Sequence, residues 1–212
     1  MHSTKQPGFT FVEAMISIAI LGIIAVAAFY SLRTARMTDE LRSGARVVAA
    51  DLRAIQARAL QGQNLKWCPN ASAQYVVCED NTALCNNPAQ CTAFPSGGYG
   101  AHLYKDSNVY RLYAKYDNNT TDWRKVTDDE VFLTRDLAKS GAMNVTVSDL
   151  QAAVPFTEVD VAFMRQSGQM RINSCGACAE QSFLNVTLKH TISLKTIVVS
   201  LNYTTGRISI EE

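Results

Sequence analysis

Polarity divides the chain into two regimes. From Phe9 to Tyr30 the sequence is apolar on every side, and Glu13 is the only one of those 22 residues charged at neutral pH. A helix of that length rises about 33 Å at ~1.5 Å per residue, enough to cross a hydrocarbon core of about 30 Å. Further on, Leu41, Ala45, Val48, Leu52, Ile55 and Ala59 are spaced alternately four and three apart. That spacing draws one apolar stripe along a helix. No proline stands between Phe9 and Leu60, so a single helix of roughly 52 residues is predicted. Its second half should pack on a soluble domain, and Gln61-Gly62 supplies a C-terminal stop.

After Gly62 the period shortens to two. Candidate strands are Gln74–Cys78, Tyr99–Tyr104, Val109–Lys115, Val131–Leu133, Asn144–Val147, Val159–Met164, Ser182–Leu188, Ile192–Leu201 and Arg207–Ile210. Turn residues separate them at Ser96-Gly97-Gly98, Asp117-Asn118-Asn119, Ser140-Gly141, Gln166-Ser167-Gly168 and Thr204-Thr205-Gly206. The fold class expected is α+β: a long N-terminal helix packed on a C-terminal antiparallel β-sandwich.

The N-terminus changes what the apolar run means. Residues 1–8 form a short polar leader with His2 and Lys5, ending in Pro7-Gly8 directly before Phe9. A secretory signal is cut after its apolar stretch at small residues, and no such site is evident after Tyr30. Any cleavage therefore falls before the helix. An ionised acid inside a membrane span costs roughly 2.5–3.5 kcal/mol, so Glu13 calls for a partner or a task. Leader, glycine, aromatic, acid and apolar span together closely resemble the class III signal of type IV pilins and type II secretion pseudopilins.

That resemblance implies cleavage between Gly8 and Phe9 by a prepilin peptidase and N-methylation of Phe9. It also implies single-pass storage in a bacterial inner membrane, with the C-terminal domain extracytoplasmic, before an assembly platform adds the subunit to a pilus or pseudopilus. Glu13 would then pair with the N-terminal amine of a neighbouring subunit, so that both charges are neutralised in an apolar filament core. The segments expected are the leader 1–8, the transmembrane and assembly half of the helix 9–30, its amphipathic half 31–61, and a β-rich head 62–212. The end of the chain, Val161 to Gly168 and then Val198 to Ile208, looks like the H-type pseudopilin and the FimT- and FimU-like minor pilins.

Charge adds detail. Arg33, Arg36, Arg42, Arg46, Arg53 and Arg58 face only Asp39, Glu40 and Asp51 along the helix, a local excess of three positive charges. A solvated face with pairs such as Asp39 and Arg42 accounts for most of this, and contact with anionic lipid or acidic neighbours is the alternative. After Leu60 the basic residues are scattered, the whole chain carries a formal charge of +1 and it ends Glu211-Glu212. This argues against a nucleic-acid-gripping surface and hence against a DNA-uptake pilin.

Six cysteines, Cys68, Cys78, Cys85, Cys91, Cys175 and Cys178, all lie beyond the apolar span. In an extracytoplasmic head they read as disulfides, although six allow 15 pairings. Nearest-neighbour pairing, Cys68 with Cys78 and Cys85 with Cys91, is the simplest expectation for a loop-rich insert at 67–95. This insert is also where partner specificity is expected, and deleting Pro69–Thr92 should spare processing and membrane insertion. Cys175-Gly176-Ala177-Cys178 lacks the strand-then-helix context of a redox pair and the second close pair that zinc would use. No catalytic residue, cofactor or metal site is assigned: His102 and His190 read as half-exposed strand residues, and no hydrolase or phosphate-loop motif occurs.

The function expected is structural. A minor pilin at or near a pilus tip comes first, with an H-type pseudopilin of type II secretion as the close variant.

Overall fold

The computed structural model describes residues 10–72, 75–78, 85–115, 131–152, 155–173 and 182–211. Among the described residues one α-helix, α1 (Phe11–Gln61), precedes thirteen strands, with a short 3-10 turn at Pro88–Gln90. These are β1 (Asn64–Pro69), β2 (Tyr75–Val77), β3 (Thr92–Pro95), β4 (Gly98–Tyr104), β5 (Val109–Lys115), β6 (Val131–Asp136), β7 (Val145–Gln151), β8 (Pro155–Phe156), β9 (Glu158–Met164), β10 (Met170–Asn173), β11 (Phe183–His190), β12 (Thr196–Asn202) and β13 (Arg207–Glu211). The chain divides into two compact units, 1–39 and 40–212.

In the first unit, large apolar side chains from Phe11 to Leu32 stand exposed on all sides of the helix. Burying each would be worth roughly 1.5–3 kcal/mol, so this surface calls for a cover that water does not provide. Three of its hydroxyls bond back to the helix: Ser17 Oγ donates to the Glu13 carbonyl at 2.8 Å, Thr34 Oγ1 to the Tyr30 carbonyl at 3.0 Å and Thr38 Oγ1 to the Thr34 carbonyl at 3.0 Å. Such back-bonding leaves little polar demand to be met by an apolar surrounding.

The second unit begins at Glu40. The stripe read from the sequence is the buried face: Leu41, Ala45, Val48, Leu52, Ile55 and Ala59 are all enclosed, with Gly44 and Ala49 beside them. The helix closes on a Schellman motif. Gly62 has φ +60°, its N–H donates to the Ala59 carbonyl, and the Gln63 N–H donates to the Arg58 carbonyl. Only glycine takes that backbone conformation without strain.

All strand pairings are antiparallel. One five-stranded sheet runs β10-β9-β4-β5-β6, a second runs β13-β12-β11-β7-β8, and a three-stranded sheet runs β2-β1-β3. Alternation puts Leu184, Val186, Leu188, Ile197, Val199 and Leu201 on the core face of the second sheet. Tyr99, Ala101, Leu103, Val159, Val161 and Phe163 do the same for the first. Both faces and the helix stripe share one core.

Four strands, β1, β3, β8 and β10, were not expected from the sequence, and β12 begins at Thr196 rather than Ile192. The turn expected at Asp117-Asn118-Asn119 lies outside the described residues. The insert is also tied to the head, because Trp67 and Val77 belong to the main core.

Gly100 shows how tight the outer face of the first sheet is. It pairs with Tyr113 across β4 and β5, and a Cβ there would sit 2.3 Å from the ring Cζ of a fully buried tyrosine. Gly100→Ala should therefore displace the Tyr113 ring and cost about 1–3 kcal/mol as overpacking. Thermal unfolding of the full chain in detergent would register this as a Tm lower by roughly 2–4 °C per kcal/mol.

Candidate functional site

Glu13 lies in the first turn of α1, where acids favour the positive end of the helix dipole. Thr10 caps that end: its Oγ1 accepts the Glu13 N–H at 3.3 Å and its carbonyl accepts the Ala14 N–H at 3.1 Å. The cap therefore fixes the backbone of Glu13 and leaves its carboxylate exposed, without a partner among the described residues. Gly8 and Phe9, the expected cleavage and methylation positions, lie outside the described residues.

The cysteines correct the expected pairing. Cys68 bonds Cys85 and Cys78 bonds Cys91, so the two disulfides interlace rather than close successive loops. Strand register explains why Cys68 and Cys78 are not joined. Cys68 faces Val76 across β1 and β2, and the Cys78 N–H donates to the Lys66 carbonyl. The two cysteines are thus diagonal neighbours on one sheet face, about 7–8 Å apart between Cα atoms, beyond comfortable disulfide reach. Each instead reaches a cysteine arriving from the loop, with Cα separations of 5.5 and 6.0 Å. The sulfurs of Cys68, Cys78 and Cys85 lie within 4.8 Å of one another. All are consumed in disulfides, which leaves no thiolate there to hold a metal. Cys175 and Cys178 lie outside the described residues.

Three polar clusters anchor the head, and the sequence reading missed each of them. Asp51 takes a bidentate grip from Arg135, Nε at 2.8 Å and Nη2 at 2.9 Å, and accepts the Tyr110 hydroxyl at 2.6 Å. Burial, and then the bond to Asp51, push the Tyr110 hydroxyl well above the usual tyrosine range. Arg135 is likewise raised, chiefly by its bond to Asp51. In the second cluster His102 Nδ1 sits 2.6 Å from Asp160 Oδ1, with Glu158 at 3.6 Å from Nε2. In the third, Glu40 Oε2 accepts from Asn144 Nδ2 at 3.2 Å and stands 3.4 Å from His190 Nε2.

Both histidines are buried, at 8 % and 0 % exposure, not half-exposed as expected. His190 falls on the inward-facing positions of β11, and His102 is enclosed where it meets Asp160 across β4 and β9. Two arginines of the helix also dock: Arg53 Nη2 donates to the Ile208 carbonyl at 2.9 Å, and Arg58 lies 5.3 Å over the Phe132 ring.

The raised Tyr110 fixes the sign of an alkaline effect. Its folded form keeps the proton while the unfolded chain releases it near pH 10, so this contribution is complete below pH 10 and falls as pH rises above it. Urea unfolding at pH 9, 10 and 11 should lose stability faster for the parent chain than for Tyr110→Phe.

A helix apolar all round in its first half, followed by antiparallel sheets closed on its second half, fits a chain anchored by its N-terminus. Residues 3–29 match the family model described as the prokaryotic N-terminal methylation motif, which supports a type IV pilin-like or pseudopilin protein. No curated protein and no solved structure matches the chain.

Proposed function

We propose that the chain is a minor pilin of a type IV pilus, a structural subunit at or near the tip that helps to start assembly. The methylation motif at residues 3–29 carries this reading. It joins a processing site to an apolar span, 9–30, whose one acid is Glu13. On this reading prepilin peptidase cuts between Gly8 and Phe9, and Phe9 is methylated. The subunit waits in the inner membrane with its head outside, and Glu13 meets the amine of a neighbour as it docks.

Uninterrupted helix from Phe11 to Gln61 favours a minor component over a main filament subunit, because the span has no proline to loosen it. An H-type pseudopilin shares every one of these features and is the second reading, favoured by the closing strands β12 and β13 joined through Thr204-Thr205-Gly206. Mass spectrometry of the N-terminal peptide separates them. Methylated Phe9 in sheared filaments, at a small ratio to the main subunit, is the expected result. Methylated Phe9 confined to the envelope points to the pseudopilin, and an intact Met1 leader in every fraction overturns both.

A further inference from the structure

Leu194 holds φ at 58° while 63 % exposed. A branched apolar residue in the left-handed region is strained, and glycine or asparagine would be cheaper there. Ile192 is 54 % exposed and Met143 71 %. They occupy two turns that touch, since the Thr191 N–H donates to the Asn144 carbonyl at 2.8 Å.

The 191–194 turn is built on the buried His190. Its Nδ1 accepts the N–H groups of Ile192 at 3.3 Å and Ser193 at 3.2 Å, and its carbonyl accepts the Leu194 N–H at 2.9 Å. Accepting twice at Nδ1 puts the proton of the neutral ring on Nε2, which faces Glu40. Asn144, from the other turn, bonds the same carboxylate. A buried polar cluster thus fixes two apolar tips in place.

The surroundings select the occupant. Segments 137–144 and 191–195 contain no acid, and Lys139 and Lys195 are exposed within them. Glu40, which Asn144 and His190 both approach, stands ten residues after Tyr30. Ten residues span at most about 36 Å in any conformation, so covalent length alone lets these turns reach the surface of a bilayer that holds the apolar run.

We propose that Met143, Ile192 and Leu194 form a bilayer-docking tip. The three side chains enter the interfacial layer while the subunit is stored in the membrane, and Lys139 and Lys195 lie against anionic headgroup phosphates. This rests on the membrane-storage reading above. The docked head would be released when the subunit leaves the bilayer for a filament.

The test uses the full chain in vesicles of phosphatidylethanolamine and phosphatidylglycerol, with a benzophenone amino acid at Ile192 or Leu194. Phe183, exposed at the opposite end of β11, is the comparison site. Lipid adducts at 192 and 194 several-fold above those at 183 are expected, falling when phosphatidylglycerol is replaced by a neutral lipid. Adducts to protein alone, or lipid adducts no more frequent than at 183, overturn the proposal while the chain still resists carbonate extraction. A chain that carbonate removes overturns the membrane reading itself. Leu194→Gly relieves the backbone strain, so its Tm should hold or rise while lipid capture from Ile192 drops several-fold. A lowered Tm would make the leucine structural and sink the docking role.

Discussion

Glu13→Gln should yield a chain that is cut and methylated normally yet is at least ten-fold depleted from filaments. The argument separates two stages. Processing reads the junction at Gly8 and Phe9, four residues before the acid, and glutamine keeps the helix start because Thr10 bonds the backbone of residue 13 rather than its side chain. Membrane storage should even improve, since an ionised acid in the span costs roughly 2.5–3.5 kcal/mol. Docking is where the charge matters. An amine brought into an apolar filament core without its carboxylate is an unpaired buried charge, and breaking such a pair costs about 3–5 kcal/mol. At 1.4 kcal/mol per factor of ten, even half of that exceeds a ten-fold loss. The check is the ratio of methylated N-terminal peptide in sheared filaments to that in the envelope, for variant and parent. Equal ratios would show that Glu13 has no assembly role.

The parts of this molecule that were legible in the sequence are those written in local periodicity. The stripe from Leu41 to Ala59 and the Gly62 stop came through because spacing along one helix determines which side is buried. β4, β5 and β9 came through because their apolar content is high. What escaped depends on partners far away in the chain. Asp51 looked like one more charge on a solvated helix, and only the arrival of Arg135, 84 residues later, makes it an anchor. β1 escaped because Asn64, Lys66 and Pro69 dilute its pattern, and its place is set by β2 and β3 on either side. Ile192 and Leu194 misled in the opposite direction: apolar residues read as the start of a strand turned out to be an exposed turn under backbone strain. Local rules tend to fail where function or tertiary demand overrides them, and that failure is what singled out the docking tip.

Removing the two described disulfides together, by Cys68→Ser, Cys85→Ser, Cys78→Ser and Cys91→Ser, should produce the largest loss of stability in the head. The bridges span 17 and 13 residues, and each closure of that size is worth about 3 kcal/mol through the unfolded chain. The loss will be less than additive, because interlaced loops share residues 78–85 and constrain one another. It will also reach beyond the insert. Trp67 and Val77 project from the same small sheet into the main core, so loosening β1 and β2 opens the core that they share with α1. A Tm lower by at least 10 °C, with Trp67 moving from a fully buried site toward water and its emission shifting red, is the expected result at roughly 2–4 °C per kcal/mol. Pairwise removal separates topology from sulfur count. Deleting Cys68 with Cys85, a native pair, leaves Cys78 and Cys91 bonded, whereas deleting Cys68 with Cys78 strands two loop cysteines. The second variant should therefore be the less stable of the two and should form non-native or intermolecular bridges visible on a non-reducing gel. The reverse order would restore nearest-neighbour pairing and with it an insert that folds apart from the head.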